Sequence, residues 1–438
     1  MMREFKKSVI SMLGISIMLV GCSQAAQDTL ENENQVSEAQ SNTDKVQIEY
    51  WYGLGSIAGE TMQEIIDDFN ESQDEIYVTG VQQGSYEETY ESVVAAMAAD
   101  NAPAVYIGSA NKAQAEEGMY APLDEIIGET DVNINDYVDV FIEGGNIDGT
   151  QYAFPGFGTT QVVYYRSDIL EEAGIDPEDM FSTWENVDKY SRQLVDEGYV
   201  EFGHLQMWGK DNMADMATSF GGEYISEDGN QALLDSQEWL DSWTLYVRAL
   251  EDGITKVESG GQGWDYWYRT IDEVMNGNAI SYMGSSGDKG DLDFNIIGSH
   301  IQPGGGGHEP NPTAGSNDFL IPSSVPEEEQ AAAMEFILYF TSPEVQARWA
   351  QVTGYIPVHK ETENVTEYAD FLEENPEYKV PSQQADIARP NFVDPTNGEI
   401  NDALSIAADR IQLEGKSAEE ALSEAQEKAQ EALDSLNE

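Results

Sequence analysis

Three times in the first part of the chain, a short alternating apolar run leads straight into an amphipathic one. VQIEYWYG, from Val46, has the period of a strand, and GETMQEIIDDFNES then sets Met62, Ile65, Ile66 and Phe69 at helical spacing. EIYVTGVQ leads into SYEETYESVVAAMAADNAP in the same way, and AVYIGS into ANKAQAEEGMYAPLDEII. Alternating strands and helices of these lengths call for a parallel sheet covered by helices, so the fold class expected is α/β. At 438 residues the chain has material for two or three domains, or for two lobes that share interleaved segments.

Charge narrows the function. The sequence has 83 Asp and Glu against 20 Lys and Arg, a formal net charge of -63. Such a surface repels nucleic acid and anionic headgroups. Hydrophobic residues at 40% and aromatic residues at 10% argue for folded lobes rather than an acidic disordered chain. The carboxylates read as a solvated coat suited to saline or alkaline surroundings. No pair of them is taken as catalytic on spacing alone.

The start MMREFKKSVISMLGISIMLVGCSQ carries a basic segment (Arg3, Lys6, Lys7), an apolar run from Val9 to Val20, and then Gly21-Cys22. The apolar run is short for a membrane span. The pattern is similar to a bacterial lipoprotein signal, cut before Cys22 so that its thiol takes acyl chains. Residues 1–21 are then the signal peptide. Cys22 is the one cysteine, so acylation leaves no thiol for a disulfide or for catalysis. Residues 22–45, rich in Gln, Asn, Ser and acid, read as the acylated Cys and a disordered tether, with the fold beginning at Val46.

Further on, a strand from Gln161 to Tyr165 follows a Pro-Gly-rich passage and feeds a helix near Ser167, which places a first crossing between lobes at about residues 155–160. A largely helical region follows, up to a strand at 278–284, and Gly/Pro-rich sequence marks a second crossing near 297–302. PEEEQAAAMEFILYFTSPEVQARWAQVTG is helical but broken at TSPE, where Ser342 is a cap candidate and Pro343 a first helical residue, a third crossing. The expected lobes are 46–156 with 299–342, and 157–298 with 343–438. Several crossings permit hinged closure while restricting twist, which suits a clamp around a ligand.

Most sites of chemistry find no support. His204, His300, His308 and His359 lack ligand spacing, so no metal is expected. DVNINDYVDV has Asp136 where a calcium loop needs Gly. GGGG at 304–307 lacks the Gly-Lys-Ser/Thr of a phosphate loop, and GSSG at 284–287 is not a nucleophile elbow. Aromatic residues are more informative. Tyr50, Trp51 and Tyr52 end the first strand, Trp208 stands in a loop, and GQGWDYWYRT brings Trp264, Tyr266, Trp267 and Tyr268 together. Rings at strand ends and in Gly-rich loops suit the apolar faces of sugars.

From Val46 onward the chain resembles the extracellular solute-binding proteins of bacterial ABC importers for sugars and glycerol phosphate. The landmarks are NAPAVYIG, YYRSDILEEAGIDPE followed by TWENV, MNGNAISYMGSSG and FILYFTSPEVQARWAQVTGYIPV, in that order and behind a lipoprotein leader. The resemblance implies a type II periplasmic-binding-protein fold, each lobe a sheet flanked by helices, around an interlobe cleft. By position it implies ligand contacts from Tyr86, from Thr159 or Thr160, from Ser285 or Ser286, from the backbone of Gly315, from Tyr355, and from Arg389 in DIARPNF. Where the glycerol phosphate binders carry a polyol-holding glutamate, this sequence has Gly108 and Ser109, which leaves the ligand open. Tyr52, Ser109, Trp208 and Trp267 complete the candidate set.

The expected function is a lipid-anchored receptor on the outer face of a Gram-positive cytoplasmic membrane, without cofactor or catalysis. It acts as a monomer, capturing a mono- or oligosaccharide and delivering it to a permease. Glycerol-3-phosphate or a related ester is the alternative ligand. A secreted glycoside hydrolase, with two facing carboxyl groups, is the more remote reading.

Overall fold

The computed structural model describes residues 45–436. The expected signal peptide, Cys22 and nearly all of the tether lie outside the described residues.

Parallel strands β1 (Val46–Tyr52), β2 (Ile76–Gln82) and β3 (Val105–Gly108) are joined through helices Ser56–Ser72 and Tyr86–Ala98. This is the strand-helix alternation of the sequence, completed as crossovers. A small hairpin, β4 (Asn146–Ile147) and β5 (Thr150–Gln151), precedes the long strand β6 (Ala153–Arg166). Then follow β7 (Phe202–Leu205), β8 (Ala279–Ser285), β9 (Ile297–His300), β10 (Thr313–Leu320) and β11 (Arg389–Pro390). The main path runs β2-β1-β3-β10-β6-β8-β7, with β9 on β6 and β11 on β10.

β6 is shared between two halves. Ala153 to Thr160 pair antiparallel with β10, whereas Gln161 to Tyr165 pair with β8 and Val163 to Arg166 with β9. Separate apolar cores form on either side of the handover. The first gathers Ile48, Tyr50, Ile66, Phe154, Phe319 and Phe336. The second gathers Val163, Trp184, Trp239, Trp243 and Ile280, while Val162, Tyr164 and Tyr282 enter another cluster behind the same strands. Successive residues of β6 therefore serve opposite faces, as strand geometry requires. The result is a two-lobed α/β molecule with β6 as one of its connecting strands.

The helix Pro343–Thr353 begins as its sequence implies, with Ser342 at the cap position and Pro343 in the first turn, although Ser342 makes no side-chain cap bond. Its packing differs from expectation. Trp349 is fully buried in the first core with Ile356 and Val358, so residues 343–358 stay with the first lobe. A helix break turns the chain, but the apolar face decides which core it meets. The tail does join the second lobe: Leu404 of helix Glu399–Gln412 and Leu422 of helix Ala418–Leu436 share its core with Trp243.

Candidate functional site

A cleft of about 700 Å³ opens where β6 passes from one half to the other. Thr159, Thr160 and Gln161 line it from β6, with Thr313, Gly315 and Asn317 beside them on β10. Gly53, Leu54 and Gly55, at the end of β1, and Tyr86 form one wall. Trp264, Tyr266, Trp267 and Tyr268, in and before the first turns of helix Asp265–Met275, form the facing wall. Glycine at 53 is needed for this approach, because a side chain there would run into the backbone of Ser85 and Tyr86.

The GYIP corner supplies the ring of Tyr355. Gly354 ends the preceding helix in the left-handed region, at φ 81°, and turns the chain back towards β6, where Gly158 and Ile356 bridge. The Tyr355 ring stacks parallel to Trp349 with centroids 5.9 Å apart and lies 4.5 Å from Phe157. Burial pushes its hydroxyl up to about 12. Beside it, Ser285 Oγ accepts a 3.1 Å bond from the Gly287 amide and lies 3.4 Å from Thr159 Oγ1. Thr160 is already engaged, donating to the Thr313 carbonyl at 2.6 Å and accepting from Gln384 Nε2 at 2.7 Å.

The facing wall is tied across the cleft. Trp264 Nε1 donates to the Gly53 carbonyl at 3.1 Å, and its ring meets Tyr86 and Trp267 edge-on at 5.8 and 5.9 Å. Trp267 Nε1 donates to Asp288 Oδ1 at 2.8 Å, and Tyr282 donates to Oδ2 of the same carboxyl at 3.2 Å. These bonds fix the Trp267 ring on the wall.

Charge in the lining is one-sided. Asp211, Asp215, Asp288, Asp291 and Asp402 line the cleft, and among the described lining residues Lys210 is the one lysine or arginine. Lys210 pairs with Asp211 at 2.7 Å. Burial pushes the carboxyl of Asp288 up to about 8. It pushes Asp215 to about 6, against the opposing donors Gln302 at 2.8 Å and Thr313 at 2.9 Å.

Of the twelve candidate contacts, Tyr86, Thr159, Thr160, Trp267, Ser285, Gly315 and Tyr355 line the cleft. The other five lie elsewhere. Tyr52 shares the inward parity of Ile48 and Tyr50, and its ring stacks on Tyr50 at 5.2 Å within the first core. Ser109 is exposed just past the end of β3. Trp208 donates to Asp409 at 2.7 Å and sets its ring edge-on to Tyr266 at 5.3 Å, supporting the wall from outside. Ser286 is fully buried in the turn after β8. Arg389 lies over the Tyr224 ring at 5.6 Å and pairs with Glu223 at 3.3 Å. Trp264, Tyr268, Asp215, Asp288 and Asp291 line the cleft without having been among the twelve. For the two rings the signal was present, since they stand four apart in GQGWDYWYRT and so share a helix face.

Among the described residues no helix is long and apolar enough to cross a membrane, and no group of His, Cys, Asp and Glu is placed to hold a metal ion. Residues 64–380 match the family model described as bacterial extracellular solute-binding protein. The sn-glycerol-3-phosphate-binding periplasmic protein UgpB of Rhizobium meliloti (strain 1021) is 24% identical over 360 residues, covering 79% of this chain and 82% of that one. UgpB of Yersinia pestis is 23% identical over 366 residues, covering 77% and 80%. Among solved structures, UgpB from Mycobacterium tuberculosis in complex with glycerophosphocholine superposes with a TM-score of 0.80 at 22% identity, over 90% of this chain and 99% of that one. Maltose-bound MalE3 of T. maritima superposes at 0.77 with 19% identity, over 88% and 99%. The chain belongs to the bacterial extracellular solute-binding proteins, which bind their solutes for transport and are not enzymes.

Proposed function

We propose that this chain is the receptor of an ABC importer and that its cleft captures a carbohydrate-class solute, a mono- or oligosaccharide. The observation that carries the reading is a cleft lined by rings and carboxyl groups whose nearby cations are already committed, Lys210 to Asp211 and Arg389 to Glu223. A sugar offers an apolar ring face to Trp264 and Trp267 and hydroxyls to Asp288, Asp291, Thr159 and the Tyr355 hydroxyl, the Tyr355 ring itself being packed between Trp349 and Gly287. A free phosphate meets carboxyl groups and no uncommitted lysine or arginine among the described lining residues. One negative charge about 6 Å from another costs roughly 3 kcal/mol at an effective dielectric of about 20.

Tyr86, Thr159, Ser285, the Gly315 amide and Tyr355 are the contacts this reading assigns to the solute. The lobes close by bending at the crossings of β6 and residues 297–302, and the solute shifts that equilibrium through tighter binding to the closed form. Cys22 carries the acyl anchor that holds the receptor, as a monomer, outside a Gram-positive membrane beside its permease.

A second reading, a glycerol phosphate or related ester, draws on Arg389. Its Nε is buried without a hydrogen-bond partner among the described residues, a donor available to an anion. Isothermal titration with neutral mono-, di- and oligosaccharides and with glycerol 3-phosphate separates the two. Micromolar or tighter binding of a neutral sugar supports the first reading. Binding of the ester alone, lost about tenfold or more in Arg389→Met, supports the second. Release of new reducing ends from glycans would contradict both.

A further inference from the structure

Resting on the reading of the cleft as a solute site, we propose that one end of it is a pocket for a positively charged nitrogen, so that the preferred solute is a sugar or polyol carrying an ammonium group. Trp264, Tyr268, Tyr86 and Tyr355 surround this end, with Asp288 and Asp291 beside them. The rings of Tyr86 and Trp264 meet edge-on at 5.8 Å, close to perpendicular, so this end is bounded by rings in more than one orientation. An ammonium within about 6 Å of several ring faces is attracted to each of them, most strongly where water is excluded.

The carboxyl groups add what a purely neutral ligand does not require. Asp288 and Asp291 both act on the hydroxyls of Tyr268 and Tyr355, so both stand close to the same rings. Once ionised, Asp288 has acceptor capacity left, because the Trp267 and Tyr282 side chains and the backbone at Ser285 take part of the four or so lone-pair sites of a carboxylate. Asp291 accepts from Ser56 across the lobes. Lys289, next to Asp288 in the chain, is turned away, with its amine on the Glu377 carbonyl and over the Tyr378 ring at 4.5 Å. The Tyr86 hydroxyl is buried beside that of Tyr355 and interacts with it, which gives this end of the cleft a polar edge between its rings.

Protons supply a signature. The groups facing Asp288 are Asp291 on its own turn, Tyr282 on β8, Tyr164 on β6, Trp267 and Tyr268 on the facing helix, and Tyr355. None of these brings a positive charge to Asp288, and burial leaves its carboxyl largely protonated at neutral pH. An arriving ammonium favours the ionised form, so Asp288 gives up its proton to solvent as the cation binds.

The test uses the folded receptor and two matched pairs of probes, choline with its uncharged isostere 3,3-dimethylbutan-1-ol, and D-glucosamine with N-acetyl-D-glucosamine. Tryptophan fluorescence and calorimetry at pH 7 read the binding. The charged member of at least one pair should bind tenfold or more tightly than its partner, and which pair responds tells a quaternary headgroup from an amino sugar. Its heat should differ between phosphate and Tris buffers because a proton is released. Asp288→Asn should cut the charged-to-neutral preference by about tenfold, and the more exposed Asp291→Asn gives a second variant should the first fail to fold. Equal or weaker binding of both charged probes, in a protein that binds a neutral sugar, overturns the ammonium pocket alone. Failure to bind any sugar or ester overturns the carbohydrate reading and this inference together.

Discussion

The floor of the cleft can be probed with one methyl group. Gly287 lies against the face of Tyr355, and a Cβ there would stand 2.6 Å from both Cε1 and Cε2 of the ring and closer still to Cζ. The ring cannot retreat, because Trp349 stacks on it at 5.9 Å and Phe157 lies 4.5 Å away, both fully buried. Gly287→Ala therefore forces either the ring or the turn after β8 to move, at a cost of about 1–3 kcal/mol, the usual range for overpacking. Displacing Tyr355 also moves its hydroxyl away from the solute, a hydrogen bond worth about 0.5–1.5 kcal/mol, roughly a 2- to 10-fold loss of affinity. Urea unfolding of the parent, Gly287→Ala, Tyr355→Ala and the double variant closes the cycle. The methyl should cost little in the Tyr355→Ala background, giving a coupling energy of about 1–2 kcal/mol. An equal cost in both backgrounds, or a cost under about 0.5 kcal/mol in the parent, would refute this packing of the cleft floor.

Three further perturbations follow from the same geometry. Asp318, buried in β10 with its carboxyl accepting from Ser316 at 2.6 Å, is pushed up by burial to about 7 from 3.8. The native state holds a proton there that the unfolded chain has released, so stability falls as pH rises from about 4 to 7. Asp318→Asn should gain roughly 2 kcal/mol on the parent between pH 5 and pH 7, and parallel pH profiles would contradict it. Trp264→Ala removes the bond to Gly53 and the edge-on contact with Tyr86, two contacts it makes with the first lobe, so opening of the lobes should become easier by about 2 kcal/mol. Small-angle scattering should show a larger radius of gyration and calorimetry an affinity loss of about tenfold or more, and no change in either would rule out a lobe-spanning role. Trp208→Phe loses the bond to Asp409 but no lining group, so stability should fall by about 1–2 kcal/mol with affinity within about threefold. A large affinity loss would place Trp208 in the site after all.

The strand and helix alternation made β1, β2 and β3 of the first lobe legible, because these close locally through their crossover helices, whereas β10 reaches β3 from roughly 200 residues away. The GYIP corner was legible too, since Gly354 ends a helix by a rule that depends on nearby residues alone. What sequence could not supply were the pairings over long separations. Trp208 was an attractive platform until Asp409, 201 residues later, took its indole. The packing of Trp349 on the first core depends on a face of helix Pro343–Thr353 whose partners include Phe157 of β6, nearly 200 residues earlier, and the helix Ser56–Ser72. Tyr52 was different, because strand parity with Ile48 and Tyr50 already turned it inward. Asp288 and Asp291 were unreadable for a statistical reason: among 83 acids their spacing carries no information, and only burial sets them apart.

The solute is placed between the lobes, against the Tyr355 hydroxyl and the Trp264–Trp267 wall. A crystal structure with the tightest-binding sugar from the calorimetric panel tests it most directly. Density is expected in the cleft at the middle of β6, with a ring face of the solute on Trp264 or Trp267 and its hydroxyls on Thr159, Ser285, Tyr355 or the carboxyl groups. Saturating sugar bound on an outer face, with the cleft holding only water, would contradict it.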